Sequence, residues 1–545
     1  NMLGNMMKRH LNTSEILKFA EEIHGDRTVV SALNKNIRHS ITYREMAARC
    51  RKLANALERL GVTFGDRAAT LAWNGSRHLE LYYAISGIGA VCHTINPRLS
   101  AEQMVYIINH AQDRLVFIDT DLVPIISAIV DQLDDEITYV ILCEVNEMPE
   151  HGLPNALCYE ALIQQETSEY IWCDLDEDIA CSLCYTSGTT GDPKGVLYSH
   201  RSTVLHAFST ILAFPNVFQA GVKILPVVPL FHVNAWGIPY TAPLVGAEIV
   251  FPGRNLDGAS LYDLMNDTGV SSAWGVPTIW ISLLDEIAKR GSIPEGLRHV
   301  VIGGAAASGQ MIETFETLGV DVAHSWGMTE MSPIGSSGQL FLPESDLPMN
   351  EMLELKKTQG RRVFGVEMKL IDDNGDKVAH DGDGVGELYV RGNAIISEYF
   401  ENPEATANAI DLEGWFGTGD VAKIDEAGYL TITDRAKDLI KSGGEWISSL
   451  DIENLAMSHP DITNCAAIGA YDPKWDERPI LIVVARDGIK PDIKSIFDII
   501  GSNLAKWQVP DDVVFVSSLP MTATGKISKL KLRERFWYHL HSKPV

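Results

Sequence analysis

Along the N-terminal part of the chain, apolar positions alternate between a helical period and short continuous runs. Met46, Cys50, Leu53, Leu57 and Leu60 recur at spacings of four and three within Ile41–Val62, which is the spacing of one helix face. Thr42 and Glu45 read as a capping box before that face, and Gly61 as its stop. The runs Ala68–Trp73, Leu115–Asp119, Ile137–Glu144 and Ile179–Tyr185 predict buried strands, with a helix at Ser76–Gly87 and further helical stretches between them. Such alternation predicts an α/β fold of mostly parallel sheets flanked by helices. Leu225–Phe251 is the one stretch apolar enough to suggest a membrane helix. Pro226, Pro229, Pro239 and Pro243, with His232 and Asn234, make it a poor one. A buried, proline-punctuated core segment is expected there, and no membrane span.

Near residue 365 the texture changes. Met368–Asp372 and Glu387–Arg391 are short β-like runs broken by the turns Asp372-Asp373-Asn374-Gly375 and Asp381-Gly382-Asp383-Gly384, which predicts a β-rich subdomain. After Tyr429–Thr433 comes the polar break Asp434-Arg435-Ala436-Lys437, and the rest of the chain reads as a small α+β domain. The expected division is a large domain, 1–436, and a small mobile one, 437–545.

A chain of 545 residues is too long for one small core, which agrees with that division. Its 45 basic against 72 acidic residues give a net charge of −27, and this repels nucleic acid and anionic membranes. The eight cysteines follow no zinc or disulfide spacing. Reduced core thiols, no signal peptide and a cytoplasmic setting are expected.

Chemistry concentrates first in Thr186-Ser187-Gly188-Thr189-Thr190-Gly191-Asp192-Pro193-Lys194-Gly195. Hydroxyls and backbone N–H groups follow a predicted strand with a lysine close by, an arrangement suited to polyphosphate oxygens. Gly195 precedes Val196 rather than Lys-Ser/Thr, so this is not a Walker loop. The stretch resembles the phosphate loop of the adenylate-forming enzymes, the superfamily of acyl-CoA synthetases, adenylation domains and luciferases. The family's other motifs follow in order: Gly303-Gly304-Ala305-Ala306, Trp326-Gly327-Met328-Thr329-Glu330, Gly386–Gly392, Trp415–Asp420, Asp434–Asp438 and Thr524-Gly525-Lys526.

The resemblance implies a set of roles. The substrates would be ATP, a carboxylic acid and CoA, with Mg2+ held by Glu330 and Thr329 contacting phosphate. Asp420, with Arg435 as companion, would accept both ribose hydroxyls. Trp326, followed by Gly327, would stack on adenine, and Gly304, Ala305 and Ala306 would let backbone approach the base. Lys526 would bridge carboxylate and α-phosphate and then leave as the small domain turns about Lys437. Lys441, Gly443, Gly444, Glu445 and Trp446 would then face the entering thiol. Without the flanking motifs, Glu330 would read as a helix cap, Asp420 as a turn aspartate and Lys526 as a surface charge.

Leu230-Phe231-His232-Val233-Asn234-Ala235-Trp236 is similar to the acyl segment of bacterial medium- and long-chain fatty acyl-CoA synthetases and 3-methylthiopropionate-CoA ligases. This resemblance implies an acyl site at His232, Trp236 and Pro277, with Trp236 as a gate. From the residues alone Trp236 reads equally well as core filling. Asn393-Ala394 departs from the Pro-Trp that members often carry after Arg-Gly, so any acyl contact through that tryptophan is not expected here. The leading expectation is an AMP-forming acid–CoA ligase on short or medium acids, with a homodimer implied by the branch. Long-chain activity, loading of a carrier-protein thiol and a non-catalytic acyl or nucleotide sensor are the alternatives. A sensor would have no need of Lys526.

Overall fold

The capping box at Thr42 forms. Its hydroxyl accepts from Glu45 N at 3.1 Å, while Glu45 Oε2 accepts from Thr42 N at 2.9 Å, and the helix Tyr43–Arg59 begins there. Ile41, which the period places in that helix, belongs instead to the strand Arg38–Thr42, which pairs antiparallel with Thr28–Ala32. Pairing along a sheet edge outweighs the helical period at this end. The computed structural model describes residues 1–186, 192–522 and 525–543.

Two seven-stranded sheets form the bulk of the molecule. One runs in the order Leu157–Cys158, Thr138–Leu142, Leu115–Asp119, Arg67–Leu71, Val91–Thr94, Ala180–Tyr185, Gly195–Ser199, all parallel until the last strand turns back. The other runs Asp321–His324, His299–Ile302, Ser272–Gly275, Lys223–Pro226, Glu248–Phe251, Thr28–Ala32, Arg38–Thr42, again parallel except at its end. The helix Ser76–Gly87 touches strands of both sheets and is buried along almost its whole length. Lying between two sheets, it is buried on nearly every side, and its polar residues find partners there: Glu80 with Arg49, and His78 with Thr70. Beside it, Leu225–Phe251 is a buried strand, turn, helix and strand. No described helix is long and apolar enough to cross a membrane.

The turn-rich middle builds an antiparallel five-stranded sheet that includes Val366–Ile371, Gly386–Gly392, Phe416–Ile424 and Leu430–Arg435. Beyond it, Ile462–Asp472 and Asp476–Ala485 form a long antiparallel pair that Asp512–Phe515 joins in parallel. Residues from Ile440 onward pack into two apolar clusters of their own on this last sheet, covered by the helices Ser449–Ala456, Ile493–Gly501 and Lys529–Phe536.

Every parallel strand of the two large sheets ends on the side from which the motif residues emerge. Thr186 leaves Ala180–Tyr185, Gly303 leaves His299–Ile302, and Ser325-Trp326 leave Asp321–His324. Open α/β sheets bind ligands outside these carboxyl ends.

Candidate active site

Thr186 and Lys194 hold the two ends of the phosphate-type loop together. Thr186 N donates to Lys194 O at 2.8 Å, and Lys194 N donates back to Thr186 Oγ1 at 3.2 Å. Ser187, Gly188, Thr189, Thr190 and Gly191 lie outside the described residues. Lys194 Nζ sits 5.2 Å above the Tyr399 ring, and the Tyr399 hydroxyl donates to Glu330 Oε2 at 3.1 Å. One aromatic residue therefore links the loop's cation to the buried carboxylate. Burial raises the Glu330 carboxyl above its usual range, opposed by the Tyr399 hydrogen bond and by the charges of Lys194 and Lys526. Thr329 beside it is fixed through its carbonyl, which accepts from Tyr198 Oη at 2.6 Å.

Asp420 and Arg435 face each other across the antiparallel ladder. Burial raises the Asp420 carboxyl, with Arg435 opposing. Trp326 donates its indole N–H to Asp420 Oδ2 at 2.8 Å and is itself buried. Gly327 has to be glycine, since a Cβ there would lie 2.0 Å from Pro333 O. Gly304 adopts φ +81° where the chain leaves its strand, and Ala305 and Ala306 are exposed. His324 belongs to no motif of the sequence. Its Nε2 accepts from Ala307 N at 3.1 Å, anchoring the end of that loop.

Lys526 comes from the C-terminal part of the chain and enters this cleft. A Cβ on Gly304 would stand 3.9 Å from Lys526 Cε. Burial, reinforced by Arg435, pushes the Lys526 ammonium down to about 7, while Asp420 and Glu330 pull it up. His232 is pushed down to about 3 by burial and by the Lys526 charge, so it presents a neutral ring. Thr278, next to Pro277, donates to Gly525 O at 3.4 Å, which brings the start of the helix Pro277–Arg290 against the lysine's turn. Burial and Arg435 lower the Lys437 ammonium.

Trp236 closes the side of the cleft behind Gly303 and Gly304. A Cβ on Gly303 would lie 3.2 Å from the indole Cη2, and the ring packs against Trp274 at 6.4 Å. The backbone carrying it is unusual. Val233, Asn234, Ala235 and Trp236 all have positive φ, from 39° to 56°. A left-handed residue with a Cβ costs roughly 1–2 kcal/mol, so the surroundings must hold the turn. Asn234 supplies part of that hold. Its Oδ1 accepts from Tyr82 Oη at 3.2 Å, and its Nδ2 donates to Ser182 Oγ at 3.2 Å. Asn74 fixes the approach to the turn by donating to Pro226 O and Val228 O and accepting from Leu230 N.

The structure thus gathers Thr186, Lys194, His232, Trp236, Pro277, Gly304, Trp326, Glu330, Asp420, Arg435 and Lys526 around one cleft. Lys441, Gly443, Gly444, Glu445 and Trp446 sit elsewhere, on the hairpin Ile440–Ser442 to Glu445–Ile447, with Trp446 46% exposed. That hairpin bonds to its own sheet domain, through Gly443 N to Trp475 O and Lys441 N to Glu477 Oε2. Tyr399, Tyr198 and His324 went unnoticed in the sequence because none belongs to a periodic face or a spaced motif.

Residues 18–400 match the AMP-binding enzyme family, and residues 451–526 match the AMP-binding enzyme C-terminal domain. The chain is 48% identical to the 3-methylmercaptopropionyl-CoA ligase of Ruegeria lacuscaerulensis, over 98% of this chain and 99% of that one. It is equally 48% identical to the medium-chain-fatty-acid–CoA ligase of Ectopseudomonas oleovorans, over 98% of each. Identity to the long-chain-fatty-acid–CoA ligase of Thermus thermophilus is 42%, over 98% and 97%. Among solved structures, an anthranilate CoA ligase in complex with anthranoyl-AMP superposes with a TM-score of 0.86 at 24% identity, covering 98% of this chain and 99% of that one. This chain belongs to the AMP-binding enzyme family.

Proposed function

We propose that this site activates a short or medium-chain carboxylic acid, with 3-methylthiopropionate among the candidates, and passes the acyl group to CoA. The chain is an AMP-forming acid–CoA ligase: acid and ATP give acyl-AMP and pyrophosphate, and CoA then displaces AMP. The observation that carries this reading is the entry of Lys526 into a cleft that already holds Lys194, Glu330, Asp420 and Arg435. Forming the acyl phosphate anhydride brings two anions together and builds charge on phosphorus. Preorganised cations in a half-buried cleft are the means of stabilising that charge.

In this reading Lys526 contacts the acid's carboxylate and the α-phosphate, and Lys194 with the Thr186 loop takes the outer phosphates. Asp420, an acceptor-only carboxylate, takes ribose hydroxyls. His232 stays neutral beside the carboxylate, so it adds no competing charge. Glu330 fits Mg2+, because that ion is commonly held by one or two carboxylates together with substrate phosphates and water. No group of three or more His, Cys, Asp or Glu that could cage a metal occurs among the described residues. The ion would neutralise pyrophosphate charge.

The small acid is supported by the fit of Trp236 against Gly303, where a Cβ would lie 3.2 Å from the indole. Lys437 is the proposed hinge between a large domain and a small one, because the small-domain clusters start at Ile440. All eight cysteines are free, which supports a cytoplasmic enzyme; a homodimer rests on the branch resemblance alone. The test is to measure AMP and pyrophosphate release across a panel of acids with CoA present. Release of ADP and phosphate would overturn the reaction, and an optimum at long chains would overturn the acid.

A further inference from the structure

Lys529 lies three residues beyond Lys526 and makes two contacts that the chemistry described so far does not use. Its ammonium donates to Ser449 Oγ at 2.6 Å and pairs with Glu453 at 2.6 Å. Ser449 in turn donates both its backbone N–H and its hydroxyl to Asp434 Oδ2, each at 2.8 Å. Asp434 is 1% exposed and Ser449 is fully buried. Asp434 belongs to the strand Leu430–Arg435 of the large part of the molecule, one residue from Arg435, which faces Asp420. Its carboxylate reaches away from that sheet to the first residue of the helix Ser449–Ala456, and Thr433 O accepts from Ser448 Oγ in the same place.

Hydrogen bonds tie Lys526 to Thr522 and the residue two places on to Pro520. Thr522 N donates to Lys526 O at 2.6 Å, Lys526 N donates to Thr522 Oγ1 at 3.2 Å, and Ser528 N donates to Pro520 O at 2.7 Å. Ser528 caps the helix that Lys529 begins. A shift of Lys529 must therefore move Lys526. The path from the ribose-site strand to the lysine thus runs through Asp434, Ser449 and Lys529, a short series of charge-assisted hydrogen bonds shielded from water. The helix Ser449–Ala456 is docked a second time by Gly309 N, which donates to Asn454 Oδ1 at 2.7 Å.

We propose that Asp434, Ser449 and Lys529, backed by Glu453, form a positioning chain that sets Lys526 at the adenylation site. The inference rests on the reading of Lys526 given above. Asp434 lies before Lys437 and Ser449 after it, so the chain exists only while the small domain is docked as seen here. It serves the adenylating half-reaction and has no part in thioester formation if that step needs the Lys441 hairpin at the cleft. Such a chain goes beyond holding the fold, because its loss should divide the two half-reactions.

The test uses the full-length enzyme with Ser449→Ala and Asp434→Asn, each beside Lys526→Ala. Pyrophosphate release from acid and ATP is timed separately from thioester formation with supplied acyl-AMP and CoA. Loss of a hydrogen bond to a charged group predicts about a tenfold fall in kcat for adenylation, with the KM for ATP little changed and the thioester step spared. Lys529→Arg should retain adenylation, whereas Lys529→Met leaves two buried carboxylates without their cation and will fold poorly. Ser449→Ala keeps every charge and decides the question. Unimpaired adenylation in a folded Ser449→Ala, or equal losses in both half-reactions, overturns the chain while leaving Lys526 in place. If Lys526→Ala itself adenylates normally, the reading of Lys526 falls first.

Discussion

Trp326 donates its indole N–H to Asp420 Oδ2 at 2.8 Å, so the residue expected to flank adenine also orients the carboxylate expected to take the ribose. The indole is wedged in place from behind: a Cβ on Gly335 would stand 2.7 Å from it. A buried carboxylate left without its donor turns toward other partners.

Trp326→Phe should therefore raise the KM for ATP about tenfold, the scale of one hydrogen bond to a charged group. The KM for the acid should change far less, because Lys526 and His232, not Trp326, are the proposed contacts of the acid. Steady-state kinetics with each substrate varied in turn will show the split. Equal rises in both constants would mean that Trp326 only supports the fold.

Lys526→Ala should lower adenylation by about a hundredfold or more, as expected when a preorganised charge is removed from a developing anion. Thioester formation from supplied acyl-AMP should survive. Lys441→Ala should show the opposite pattern, since its hairpin stands clear of the cleft in this arrangement. Timing pyrophosphate release and CoA consumption separately in both variants checks the pair.

Much of this site was legible because its residues come in ordered motifs at strand ends, where backbone geometry fixes side-chain placement. The capping box at Thr42 and the strands around Leu115–Asp119 were readable from local pattern alone. Tyr399 was not. It meets Glu330 and Lys194 across 69 residues of separation on one side, and no periodicity marks a tyrosine that works through a tertiary contact. The left-handed run Val233–Trp236 was equally hidden, since its sequence carries no glycine until Gly237. Hydrogen bonds between Asn234 and the side chains of Tyr82 and Ser182, both distant in sequence, override the local backbone preference.

Buried neutral histidines make the fold sensitive to acid. His206 Nε2 accepts from Ile334 N at 3.0 Å, and burial pushes His206 down to about 3. Its folded value lies below the ordinary 6.5, so the unfolded chain takes up a proton first as pH falls. The stabilising contribution is complete above about pH 6.5 and is lost progressively between there and its folded value, at up to about 1.4 kcal/mol per pH unit. Buried carboxylates such as Glu453, pushed up to about 7, act in the opposite sense, so the histidine effect is read by difference. His206→Gln, whose amide oxygen can still accept from Ile334, should flatten the stability profile between pH 6.5 and 4 relative to wild type. Denaturant midpoints at several pH values will show it, and parallel profiles would assign the acid sensitivity to other groups.

Trp236 sets the last expectation, acyl length. Its indole lies against Gly303, 4% exposed, at the end of a turn held left-handed by its neighbours. Each methylene buried in an apolar channel contributes roughly 0.8 kcal/mol, about fourfold in kcat/KM, so an open channel would favour longer acids steeply. A closed one ends the rise early. Wild type should therefore peak on short or medium acids, and Trp236→Ala, by vacating the indole's volume, should move the peak to longer chains. The same substitution removes a large core side chain, at a cost of about 3–5 kcal/mol, so melting must be followed alongside kcat/KM. A profile lowered at every length with its shape intact would make Trp236 a packing residue, whereas a displaced maximum in a folded variant makes it the floor of the acyl site.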